Sequence, residues 1–161
     1  MNKTLIVGLG NPILGDDGVG WKVAEQVRQR LELGADGLRD FPVVDVNCFS
    51  LGGLSLMEQM VGYERVILVD SMQTGQGEAG VVRVFKLEEL PNPFLGHSAS
   101  THDASLITAL ETGRKMGLKL PDEVIIIAVE AVRVYDFSEE LSPPIVSAVP
   151  KMVEAVLGVL K

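Results

Sequence analysis

Leu5-Ile6-Val7-Gly8-Leu9-Gly10-Asn11-Pro12-Ile13-Leu14-Gly15-Asp16-Asp17-Gly18-Val19-Gly20 runs from an aliphatic stretch through a glycine-rich turn to two adjacent carboxylates. The run Thr4–Val7 reads as a buried first strand. An amphipathic helix follows over Asp17–Leu33, with Val19, Val23, Val27 and Arg30/Leu31 on one stripe. Lys22, Glu25, Gln26 and Gln29 fall on its other face. A strand, a tight turn and a helix in that order start an α/β fold, in which ligands collect beyond the carboxyl ends of the strands.

Further along the chain the same alternation continues. Gly34 ends the helix, Val43–Phe49 is a second strand, and Gly52-Gly53 opens a short helix through Met60. Arg65–Val69 is a third strand, apolar after its first residue and therefore central in the sheet. The glycine-rich connection Ser71–Ala79 is too short for a parallel crossover, so Gly80–Phe85 should run antiparallel to the third strand. Lys86–Ser100 reads as a long loop with Pro91 and Pro93, then a helix over Thr101–Met116 and a fifth strand over Glu123–Val129. A last helix spans Pro144–Leu160 and includes Pro150. The expected architecture is a three-layer α/β/α sandwich on a mixed, mostly parallel five-stranded sheet, a single domain over residues 1–161.

Composition narrows the function. With 161 residues, 47% hydrophobic and 22% charged, the chain can bury a substantial core. A net charge of −8 opposes a nucleic-acid partner. The N-terminus has no signal-peptide pattern and no apolar run reaches the roughly 18 residues of a membrane span. A lone cysteine, Cys48, excludes an internal disulfide and reads as an inert thiol in an apolar strand. These features point to the cytoplasm.

Three polar features converge if the topology holds. Asp16 and Asp17 follow the first strand, Asp70 ends the third, and His102 lies in the first turn of the helix after Ser100. Each has an ordinary structural role: Asp16 as a helix cap, Asp17 in a first turn, Asp70 capping a turn, His102 as a satisfied helical residue. Together at one sheet edge, two carboxylates and an imidazole suit a divalent transition metal. Ser100 and Asp103 resemble a capping box, and the helix dipole there favours the neutral imidazole a metal needs. His97, in the proline-bounded loop, is structural or substrate-facing. No His-Glu-x-x-His, Gly-x-Ser-x-Gly or Walker sequence is present, and the dinucleotide fingerprint begun by Gly8 and Gly10 fails at Ile13.

The stretch from Gly8 to Gly20, with Ile67-Leu68-Val69-Asp70 and Ser100-Thr101-His102-Asp103-x-Ser105-Leu106, closely resembles the nickel–iron hydrogenase maturation endopeptidases. That family removes a C-terminal extension from the hydrogenase large subunit after nickel insertion. The resemblance implies metal contacts by Asp17, Asp70 and His102, catalytic roles for Asp16, Asp17 and Asp70, and substrate contacts by Gly10, Asn11 and Gly53. It also implies nickel delivered by the substrate and no permanent cofactor. Nothing in the sequence suggests obligate dimerisation, and a monomer that meets its precursor transiently is expected. The chain departs from the family after the second strand, where Cys48-Phe49-Ser50-Leu51-Gly52-Gly53 lacks the usual acidic residue. Two other readings stand beside this one. A peptidyl-tRNA hydrolase shares the Leu-Ile-Val-Gly-Leu-Gly-Asn-Pro opening, but its Thr-Arg-His-Asn segment is missing here. A non-enzymatic metal-binding maturation factor would use the glycine turn as a cradle.

Overall fold

A computed structural model describes residues 3–34, 43–89, 98–132 and 136–161; over 98–105 it describes the helix and not the side chains. The elements are β1 (Thr4–Leu9), α1 (Val19–Leu33), β2 (Val44–Phe49), α2 (Gly53–Met60), β3 (Arg65–Met72), β4 (Val82–Lys86), α3 (Ser98–Lys115), β5 (Glu123–Glu130) and α4 (Pro143–Leu160). The five strands order as β2-β1-β3-β5-β4. β2, β1, β3 and β5 are mutually parallel, whereas β4 runs antiparallel to β5. The sandwich expected from the sequence is the fold observed.

Alternation along the strands sorts the core into two faces. Ile6, Ile67, Val69, Ile127 and Val129 pack with α1 and α4, whereas Leu5, Val7, Leu68, Ile126 and Ala128 pack with α2 and α3. Ile6, Leu68 and Ile127 have no accessible surface. Burying each such side chain contributes about 1.5–3 kcal/mol. By length and composition α4 is apolar enough to cross a bilayer. Its stripe of Ile145, Met152, Val153, Val156 and Leu160 is instead buried in the core. Pro150 is accommodated within that helix.

Three boundaries differ from the sequence expectation. A 3-10 turn over Gly15–Gly18 precedes α1, so Asp17 lies ahead of the α-helix. β3 runs on to Met72 because its pairing with β5 continues through Asp70, Ser71 and Met72, so Asp70 is inside the strand. β4 has the expected direction, and its sheet neighbour, which the sequence left open, is β5. α3 begins at Ser98, which moves Ser100 inside the helix and His102 to its second turn. The Ser100–Asp103 capping box is therefore not at the helix start, and the positive end of the helix dipole acts less strongly at His102. His97 lies outside the described residues.

Candidate active site

The site grows from the way α1 meets the sheet. A Cβ on Gly20 would overlap the carbonyls of Leu9 and Val69, so the helix begins in backbone contact with the ends of β1 and β3. Gly10 has φ +126, and a Cβ there would overlap the Asp17 carbonyl. Only glycine adopts that conformation readily at so close an approach. The turn is thus wrapped on Asp17, at the carboxyl edge of the two central strands.

Asp16 and Asp17 have different partners. Asp16 is 2% exposed. Its Oδ1 accepts the Ser142 N–H and its Oδ2 accepts the Ser142 hydroxyl, both at 2.7 Å. Ser142 immediately precedes α4, so this carboxylate fixes the first turn of the molecule to its last helix. Asp17 is half-buried and its Oδ2 accepts the Asn11 N–H at 2.8 Å. Asn11 Oδ1 in turn accepts the Ile13 N–H at 3.1 Å. Asn11 therefore shapes the turn through both backbone and side chain.

Asp70 is buried in β3, on the same side of the strand as Leu68 and Met72, facing the α2/α3 layer. Its Oδ1 accepts the N–H of Ser71 at 2.7 Å. The Ser71 hydroxyl, on the opposite face, is buried without a hydrogen-bond partner among the described residues. Because α3 leads into the amino end of β5, its own N-terminus lies at the carboxyl edge and on the face shared by Asp70. That helix bears His102, whose side chain is outside the described residues. Among the described residues no three His, Cys, Asp or Glu side chains gather as possible metal ligands.

One carboxylate here escaped the sequence reading. Glu130 ends β5, is 1% exposed, and faces the same layer as Asp70. Its Oε2 accepts the Thr74 N–H at 2.9 Å and its Oε1 accepts the Thr74 hydroxyl. Thr74 Oγ1 also accepts the Gln76 N–H at 3.2 Å. Glu130 thereby ties down the segment leaving β3 just beyond Asp70. The available signal was an acid closing an apolar strand, the same signal that singled out Asp70. Gly53 opens α2 with φ 54, and the preceding strand end is joined to the glycine turn through Gly10 N–H to Phe49 O at 3.2 Å. Trp21 Nε1 donates to the same Phe49 carbonyl at 3.3 Å. Burial pushes the Cys48 thiol above its ordinary range, consistent with an inert thiol.

The family model for HycI, hydrogenase maturation protease, matches residues 44–159, a stretch that includes Asp70 and His102. The chain belongs to the hydrogenase maturation proteases. A putative hydrogenase maturation protease of Methanocaldococcus jannaschii is 27% identical over 159 residues, covering 98% of this chain and 96% of that protein. The hydrogenase 2 maturation protease of Escherichia coli is 24% identical over 127 residues, covering 79% of this chain and 72% of its own length. The solved hydrogenase maturating endopeptidase HybD of E. coli has the same fold, with TM-score 0.76, 23% identity and coverage of 99% and 92%. HybD of Thermococcus kodakarensis superimposes at TM-score 0.70, with 23% identity and full coverage of both chains at 100%. The protease is thus a peptide-bond hydrolase, and its Asp16-Asp17 turn precedes the stretch that the family model matches.

Proposed function

We propose that this protease removes the C-terminal extension of a nickel–iron hydrogenase large-subunit precursor after nickel has been inserted. Asp17, Asp70 and His102 contact the nickel of the precursor, which arrives as part of the substrate, and so test whether insertion is complete. The same contacts draw the scissile peptide to the carboxyl edge. Gly10, Asn11 and Gly53 line its approach. Hydrolysis then follows either from a carbonyl polarised by the metal or from an activated water, with Asp17 or Asp70 accepting its proton. Asp16, with both oxygens bonded to Ser142, holds the turn that presents Asp17. The protease acts as a cytoplasmic monomer that binds its precursor transiently.

The observation supporting this reading is the common destination of residues far apart in the chain. Asp17 and Asp70 reach the carboxyl edge of adjacent parallel strands, and α3 starts at that edge on the face of Asp70. Mass spectrometry of a nickel-loaded precursor incubated with the protease tests it. The expected result is loss of the extension from the nickel-loaded precursor and none from a nickel-free sample. Equal trimming of both samples would remove nickel from the recognition step, and no trimming of either would remove the activity.

A further inference from the structure

The turn between β1 and α1 is paired along its outer side with the segment leading into α4. Ser138 N–H donates to Ile13 O at 3.0 Å, and Gly15 N–H donates to Ser138 O at 2.7 Å. These two bonds make Leu14 and Ser138 partners in a parallel bridge. Ile13 and Phe137 are therefore the residues that immediately precede this bridge on the two segments. Both are open to solvent. Phe137 is 87% exposed and Ile13 46%. A phenylalanine almost wholly in water contributes nothing to the core, and aromatic side chains are typical anchors of protein interfaces.

The surroundings of this apolar pair indicate the chemistry of its partner. Phe137 is flanked by exposed Asp136, Glu139 and Glu140. A cleft of about 200 Å³ opens beside it, with Asp16, Asp136 and Glu140 in its walls. An apolar contact bordered by carboxylates is complementary to an apolar side chain with a neighbouring lysine or arginine. The pair is also continuous with the candidate site, since Ile13 is only four residues from Asp17 in a turn fixed at both ends.

We propose that Ile13 and Phe137 form a docking platform for the precursor polypeptide, taking an apolar side chain of a segment that carries Lys or Arg beside it. This proposal rests on the cleavage reading above for the identity of the partner. It goes beyond that reading by assigning a recognition surface outside the nickel-contacting residues. Docking on this rim aligns the precursor before its metal reaches Asp17.

Binding and cleavage are measured separately on the same proteins. Nickel-loaded precursor is titrated against immobilised wild type, Ile13→Ser, Phe137→Ser and the double variant, and trimming kinetics are followed by mass spectrometry. Leu33→Ser serves as control, because Leu33 is 73% exposed at the far end of α1. Losing an interface anchor is expected to weaken binding about tenfold for Phe137→Ser and less for Ile13→Ser. KM rises with it, kcat stays within about twofold, and the control is unchanged. Added salt weakens wild-type binding, and Asp136→Asn with Glu140→Gln removes most of that sensitivity. Wild-type affinity in the Phe137→Ser and double variants overturns the platform, as does a wild-type protein that fails to bind the precursor. Binding that is lost in Phe137→Ser, with no trimming by the wild type, upholds the platform and overturns the cleavage reading instead.

Discussion

The two ends of the sheet handle charge in opposite ways. At the carboxyl edge Asp16, Asp70 and Glu130 are all buried and all accept hydrogen bonds from backbone N–H groups. At the amino edge of β1 and β2, Lys3 and Asp45 pair at 3.4 Å with 44% and 39% of their side chains exposed. Tyr63 joins them, donating its hydroxyl to Asp45 at 2.6 Å beneath the Lys3 ammonium. Water reaches the Lys3–Asp45 pair readily, so that ion pair contributes little. The first group has exchanged water for fixed donors, and removal of either partner leaves a buried polar atom exposed to no solvent. Polar burial is concentrated at the end where chemistry is proposed, and this is the contrast that substitutions can break.

The largest expected effect is on turnover. Asp17→Ala and Asp70→Ala should each lower the rate of precursor trimming by more than about a hundredfold while far-ultraviolet dichroism stays native. Trimming at wild-type rates by both variants would remove these residues from the reaction. Next come the holding carboxylates. Asp16→Ala deprives the Ser142 N–H and hydroxyl of their acceptor, and urea unfolding should register a loss of about 2–3 kcal/mol. Glu130→Ala should cost about 1–3 kcal/mol by the same measure, because Thr74 loses both its acceptors. Glu130→Gln retains an acceptor oxygen and should recover part of that loss.

At the amino edge the effects shrink. Lys3→Ala should change stability by less than about 0.5 kcal/mol, and equal losses for Lys3→Ala and Glu130→Ala would erase the contrast. Tyr63 gives a pH signature. Burial first, and then the hydrogen bond to Asp45 and its charge, push the hydroxyl up to about 12 from its ordinary 10.0. The folded state therefore holds this proton more tightly than the unfolded chain. Its contribution is fully present below about pH 10 and is lost as the pH rises toward about 12. Thermal melts across that window should show a steeper decline for wild type than for Tyr63→Phe.

Local pattern was enough to recognise the strands, the central place of Arg65–Val69 and the acidic pair after the first turn. Period and turn residues are properties of short windows. What escaped was set by partners distant in sequence. Asp16 looks like its neighbour until Ser142, 126 positions away, takes both its oxygens. Glu130 reads as an interruption in an apolar run because Thr74, which explains it, is 56 positions earlier. Asp70 falls inside β3 rather than at its end because pairing with β5 prolongs the strand, and a strand's length depends on its neighbour. The sheet neighbour of β4 is likewise a tertiary fact: direction follows from the short connection, while adjacency to β5 does not.

The bond between Asp16 and Ser142 also bears on the order in which the polypeptide is made. A ribosome-bound nascent chain that stops short of Ser142 already contains the glycine turn and both aspartates, yet nothing grips the first of them. On the proposed reading, cutting competence is thereby deferred until Ser142 itself has been synthesised, and a translation fragment that stops before it is left without a finished blade.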